Sequence, residues 1–241
     1  MSIQTSGDYE ERGISLLHSG RAAEALAVLE EGERKFPGDA DLLMGTAMAR
    51  LRLGDFAEAC VILEALKRRR PTGETLRALC EAYLSRGMQH QAVEAAVSAV
   101  NGPGGDAESA YAFGRVFYER GLFRQALPFY ERAMALAPNW AEAWFGLGAC
   151  RWSLRQPDLA ETALRRAVEL DPQDFQARQF LGCALYDAKR KPEARALLEA
   201  VPLDAPWQKP ALERLIAMAW WPADPERSRG LELAWRGVNS R

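Results

Sequence analysis

Small residues recur in this chain at one fixed interval. Ala92, Ala126, Ala160 and Ala194 stand 34 residues apart, as do Gly114, Gly148 and Gly182. Pro138, Pro172 and Pro206 keep the same interval, and the pairs Ala25/Ala59 and Pro37/Pro71 carry it upstream. Small residues locked to one period mark places where two helices touch closely, and prolines mark where a helical unit must stop. A period of this size builds a stack of helical units, each burying a face against its neighbour, instead of one mixed core.

Counted from the prolines, units begin at Ser6, Ala40, Gly73, Ala107, Ala141 and Phe175, the second being one residue short. In the fifth, a first helix starts at Ala141 and a second at Pro157, where proline suits the first helical turn because its missing N–H has no partner there. Within each first helix the fourth, seventh, eighth and eleventh residues make an i, i+3, i+4, i+7 stripe: Ala110, Phe113, Gly114 and Phe117, then Trp144, Leu147, Gly148 and Arg151. Facing each glycine, the second-helix alanines Ala126, Ala160 and Ala194 are expected to make small-against-small contacts, with Tyr130, Leu164 and Leu198 beside them. Gly20, Gly54, Gly87 and Gly121 stand where first helices end, suiting a left-handed cap; the fifth and sixth units put Arg155 and Lys189 there, so strain is expected. Pro128 falls inside a second helix and should bend it mildly.

With these residues in view, the chain resembles the tetratricopeptide repeat family, whose unit has the pattern Trp-x-x-Leu-Gly, a tyrosine, two alanines, an aromatic and a closing proline. Trp144, Leu147, Gly148, Ala160, Ala167 and Pro172 match it one by one. Phe113, Gly114, Phe117, Ala126, Tyr130, Ala133 and Pro138 match in the fourth unit, and Leu181, Gly182, Ala194 and Pro206 in the sixth. The resemblance implies an all-α fold, a right-handed superhelical solenoid of six helix–turn–helix units over residues 1–206. A capping helix pair over 207–241 follows, because a stack leaves its last apolar face bare. The weakest unit is the third, with Cys80 in the glycine's place; the glycine-rich run within 101–106 is the expected joint.

In such a stack the first helices line the concave side, and the second, fifth, ninth and twelfth positions face the groove. Downstream these include Tyr111, Arg115, Tyr118, Phe145, Trp152, Gln179, Cys183 and Tyr186; the middle supplies Arg77; upstream they are Glu10, Ile14, Leu17, Asp41, Met44, Met48 and Leu51. Aromatic anchors with arginine are the residue types that dominate protein hot spots. The partner-binding set is therefore Arg77, Tyr111, Arg115, Tyr118, Phe145, Trp152, Gln179 and Tyr186, although rings at the fifth and twelfth positions also pack units together. Trp207, Trp220, Trp221 and Trp235 crowd the C-terminal segment, as a cap or as a surface for self-association. The groove lacks the lysines and asparagines with which some family members clamp a peptide carboxylate.

Other chemistry finds no footing. The net charge of −2, with Glu74, Glu81, Glu108 and Glu142 along the groove, argues against nucleic acid. Neither His18 nor His90 has ligands at metal spacing, and no nucleophile–base pair or phosphate loop stands out, so neither an enzyme nor a cofactor is expected. The Lys67-Arg68-Arg69-Arg70 run reads as a solvated helix end. With no apolar run of about 18 residues and no leader-like start, a cytoplasmic adaptor binding a protein or peptide is expected, by family analogy a bacterial assembly component. Self-association is the alternative. Cys60, Cys80, Cys150 and Cys183 lack Cys-x-x-Cys spacing and read as small buried apolar groups.

Overall fold

The computed structural model describes residues 5–69, 71–102, 105–202 and 209–219, together with 229, 230, 232, 233 and 235–237, and these are helices and short connections. The chain divides into two compact units, Met1–Gly105 and Asp106–Arg241. In the first, α1 (Ser6–His18) pairs with α2 (Ala22–Lys35), α3 (Ala40–Leu53) with α4 (Phe56–Arg69), and α5 (Gly73–Ser85) with α6 (Gln89–Asn101). In the second, α7 (Ala107–Glu119) pairs with α8 (Phe123–Leu136), α9 (Ala141–Ser153) with α10 (Pro157–Leu170), and α11 (Phe175–Asp187) with α12 (Lys191–Glu199). Of the expected capping pair, α13 (Lys209–Ala219) packs on α11 and α12, and the described residues from 229 to 237 are helical. Residues 103 and 104 of the expected joint lie outside the described residues, as do Trp207, Trp220 and Trp221.

The helices start where the sequence can satisfy their free N–H groups. The Asp39 carboxylate accepts from the amides of Asp41 (3.0 Å) and Leu42 (3.2 Å), Asp106 from Ser109 (2.8 Å), and Asp174 from Gln176 (2.8 Å). Pro157 opens α10 as expected, and α8 continues through Pro128 as one helix.

Pairing rests on the periodic glycines, but the contact differs from the small-against-small one expected. A Cβ on Gly148 would lie 2.6 Å from Leu164 Cγ and 3.1 Å from the Leu164 backbone nitrogen. On Gly182 it would meet Leu198 at 2.6 Å, on Gly114 the Tyr130 ring at 2.9 Å, and on Gly13 Leu29 at 2.6 Å. Each first-helix glycine thus receives the large residue four positions beyond the second-helix alanine. The alanines Ala25, Ala126, Ala160 and Ala194 are themselves fully buried.

Consecutive pairs are joined by a second recurring contact. Arg50 Nη2 donates to Glu30 (2.8 Å), Arg151 Nη2 to Glu131 (3.1 Å), and the Tyr83 hydroxyl to Glu64. In each, the eleventh residue of one unit reaches the twenty-fifth of the unit before. Further on, Arg190 bridges Glu161 (2.6 Å) and Glu193, while Arg165 binds both as well, tying α10 to α12. All four cysteines are buried thiols, and burial pushes Cys150 and Cys183 up to about 12, far from reactive thiolate.

The ends of the first helices show the expected strain. Gly54 adopts φ +85° as a left-handed cap without cost, but Arg155 (φ +62°) and Lys189 (φ +65°) hold the same conformation with a Cβ. That conformation costs a non-glycine residue about 1–2 kcal/mol, so Arg155→Gly and Lys189→Gly should each raise stability by about 1 kcal/mol after the unfolded-state entropy of glycine is deducted. Thermal or urea unfolding measures this; an unchanged midpoint would mean the strain is relieved elsewhere. Conversely, Gly148→Ala should destabilise by about 1–3 kcal/mol through overpacking, and adding Leu164→Ala should recover part of that loss in a double-mutant cycle.

Candidate functional site

Helix α7 places Tyr111 half-buried, its ring 5.7 Å from Tyr130 edge-on and 4.8 Å from Trp140. Tyr118, two helical turns further on the same face, lies 5.1 Å from Phe123 and receives the Ser153 hydroxyl at 3.4 Å. Burial pushes both phenols above their ordinary range. Phe145 and Trp152 of α9 both meet the Phe180 ring of α11 edge-on, each at 5.3 Å. Each ring is half-buried among aromatic neighbours, Tyr111 and Tyr118 against α8 of their own pair, and Phe145 and Trp152 against α11 of the next. Arg115 is exposed and pairs with Glu119 at 3.5 Å, while exposed Arg77 belongs to α5 in the first compact unit.

Gln179 departs from the expected groove stripe. It is fully buried, and Cys183 one turn on is 2% exposed in a cluster with Leu212 and Leu215. Helix α13 packs on α11 and brings Leu212 and Leu215 into the Cys183 cluster. Gln179 is therefore not positioned to meet a partner.

The same helix supplies a residue that the sequence reading passed over. Arg214 donates from Nη2 to both Asp187 oxygens, at 2.8 and 2.9 Å, and from Nε at 3.1 Å. Its guanidinium lies 5.4 Å from the Trp152 ring and 5.7 Å from Tyr186, and Trp152 Nε1 donates to Asp187 at 3.0 Å. Lys191 also approaches Tyr186, at 5.6 Å. Trp152 and Tyr186 are thus engaged by a charge-assisted, cation–π clamp that fastens the end helix. Trp235 packs partly buried against the α13 cluster, with Lys209 5.6 Å from its ring.

A different surface is open. Across the first helices α1, α3 and α5 of the upstream unit lies a cleft of about 210 Å³. Ile14, Leu17, Met44 and Met48 give it an apolar floor. Asp41 and Glu74 sit in the first turns of α3 and α5, where the helix dipole favours carboxylates, and Glu10 of α1 joins them. His18 and Arg52, in the last turns of α1 and α3, form the other rim. Stacked first helices thereby turn a local preference into a polarised cleft. The sequence stripe had placed most of these residues in the groove, but methionine carries a weaker hot-spot signal than tyrosine or tryptophan, and the cleft requires three helices to be seen together.

Glu10 is held above the usual carboxylate range, first by burial and then by Asp41, Asp39 and Glu74. Among the described residues no group of acidic, histidine or cysteine side chains could hold a metal ion, and no helix is long and apolar enough to cross a membrane. The raised position of Glu10 means that its ionised form is disfavoured in the folded state. Its contribution is therefore most favourable at low pH and is lost as pH rises through the folded value. Glu10→Gln should accordingly raise the thermal midpoint at pH 7 and give no gain below the unfolded carboxylate range, a difference that scanning calorimetry at the two pH values reads directly.

Tetratricopeptide repeat profiles match residues 16–83 and 152–219 in one form and 111–174 in another. Tetratricopeptide repeat protein 1 of Schizosaccharomyces pombe is 32% identical over 74 residues, 30% of this chain and 7% of that protein's length. Among solved structures, the C-terminal part of a repeat protein from Cytophaga hutchinsonii superposes with a TM-score of 0.69 at 15% identity, covering 96% of this chain and 94% of that one. YrrB, described as a TPR protein with an unusual peptide-binding site, gives 0.53 at 18% identity, covering 77% and 91%. Those two likenesses speak to the fold alone. With its periodic glycine contacts, its helix pairs and repeat profiles spanning more than half of its residues, the chain belongs to the tetratricopeptide repeat family.

Proposed function

We propose that the protein is a non-enzymatic adaptor that holds a segment of a partner protein across the first helices of its pairs. The observation that carries this reading is the cleft over α1, α3 and α5, a concave surface with an apolar floor and charged rims. Its volume of about 210 Å³ is below the roughly 300–1,000 Å³ of sites that enclose a whole small molecule, and suits a few anchoring side chains. Methionine on the floor favours adaptable contact, because its unbranched thioether reshapes at little cost. The description of YrrB as having a peptide-binding site supports the same use of the fold. In this reading the exposed edges of Tyr111, Tyr118 and Phe145, with Arg115, extend the contact surface in the second compact unit, and Arg77 does so in the first.

Affinity capture with quantitative mass spectrometry from the native host tests the reading. A folded Met44→Glu/Met48→Glu variant, checked by circular dichroism, should lose the partners that the wild type retains. If this variant keeps them and Tyr111→Ala/Trp152→Ala loses them, binding lies on the downstream strip instead. Retention by both variants overturns groove binding.

A further inference from the structure

Resting on the cleft reading, we propose that the occupant is a basic amphipathic segment of a partner protein, its apolar side chains on Met44 and Met48 and its lysines or arginines facing Glu10, Asp41 and Glu74. Three carboxylates from three successive first helices meet along one rim, and among the described residues none of them forms an ion pair. Asp39 adds to the same field. Elsewhere the protein pairs its acids readily: Glu30, Glu131, Glu161 and Glu193 each hold an arginine. The rim carboxylates are left to face the cleft and one another.

Their crowding is visible in Glu10, whose ionised form is disfavoured by burial and by the neighbouring acids. A cation arriving at that rim removes the repulsion between like charges and restores part of the lost solvation. Asp41 and Glu74 lie near enough to act on Glu10, so an amphipathic helix carrying successive cations on one edge, about 10.5 Å apart at i and i+7, can engage more than one of these carboxylates. Arg52 stands at the opposite rim and repels a cation there, which fixes the basic edge on the Glu10 side. Apolar side chains between the two edges meet Met44 and Met48. The chain's net charge of −2 alone would not attract such a segment; the clustering does.

Fluorescence anisotropy with three labelled synthetic peptides, an amphipathic leucine–lysine helix and its leucine–glutamine and leucine–glutamate counterparts, tests the proposal. The lysine peptide should bind tightest and weaken as NaCl is raised. The triple variant Glu10→Gln/Asp41→Asn/Glu74→Gln should bind it roughly tenfold more weakly. The charge-matched variant Glu58→Gln/Glu94→Gln/Asp158→Asn, altered at exposed acids of second helices, should bind it as the wild type does. Equal binding of the lysine and glutamine peptides, or equal loss in the two triple variants, overturns the basic occupant. The cleft reading then stands or falls separately, on whether Met44→Glu/Met48→Glu abolishes glutamine-peptide binding. Failure of all three peptides to bind overturns the basic occupant as well, and leaves the cleft reading to be decided by the partner-capture experiment.

Discussion

The contact between a first-helix glycine and the large second-helix residue opposite it is what the rest of the structure depends on. At Gly148 the backbone of α9 comes so near Leu164 that even one methyl group has no room. Such an approach is available only to glycine, and it sets the distance within a helix pair. It recurs at Gly13, Gly114 and Gly182, while Ala47 and Cys80, both buried, hold the corresponding places in α3 and α5. In the first compact unit α1, α3 and α5 follow one another, and Glu10, Asp41 and Glu74 share a rim. Small residues at that place let each second helix approach closely, so interior packing bears on which surface charges become neighbours.

Stacking in this manner makes the energetics local. Within each compact unit a helix pair touches its neighbours in sequence, so stability there approximates a sum of pair terms and interface terms. The Arg50–Glu30 and Arg151–Glu131 bridges belong to the interface terms, and their partial exposure keeps each of them modest. The buried alanines and leucines supply most of the stabilisation at roughly 25 cal/mol per Å² removed from water. Strain at Arg155 and Lys189 falls on the turns inside the α9/α10 and α11/α12 pairs and subtracts from their pair terms.

Much of this was legible in the sequence, because the repeat is enforced by sterics. The buried stripe Ala110, Phe113, Gly114 and Phe117 followed from helical spacing, and the left-handed Arg155 and Lys189 followed from the missing glycines. The partner of each glycine did not follow: alanine and leucine are both compatible with the period, and only the rotation of the second helix chooses between them. The groove reading of Gln179 treats α11 as the last first helix of the array, whereas α13 begins at Lys209, one period after Phe175, and packs on α11. Arg214 was missed for the same reason: it stands one period after Phe180, in a segment read only as a cap. The cleft was legible residue by residue but not as a place, because its carboxylates come from three separate helices.

Arg214 has a consequence for how such a chain can grow over evolutionary time. Helix α11 lays Phe180 against Trp152, and α13 lays Arg214 against Tyr186 in a corresponding manner. The end helix thus imitates the first helix of another unit while substituting a cation, bound to Asp187, for a ring. A duplicated helix pair inserted upstream of α11 would find compatible neighbours on both sides. The Arg214–Asp187 pair holds α13 to α11 where the Phe180 ring meets α9 one period earlier, so one junction of the array accepts either a cation or a ring.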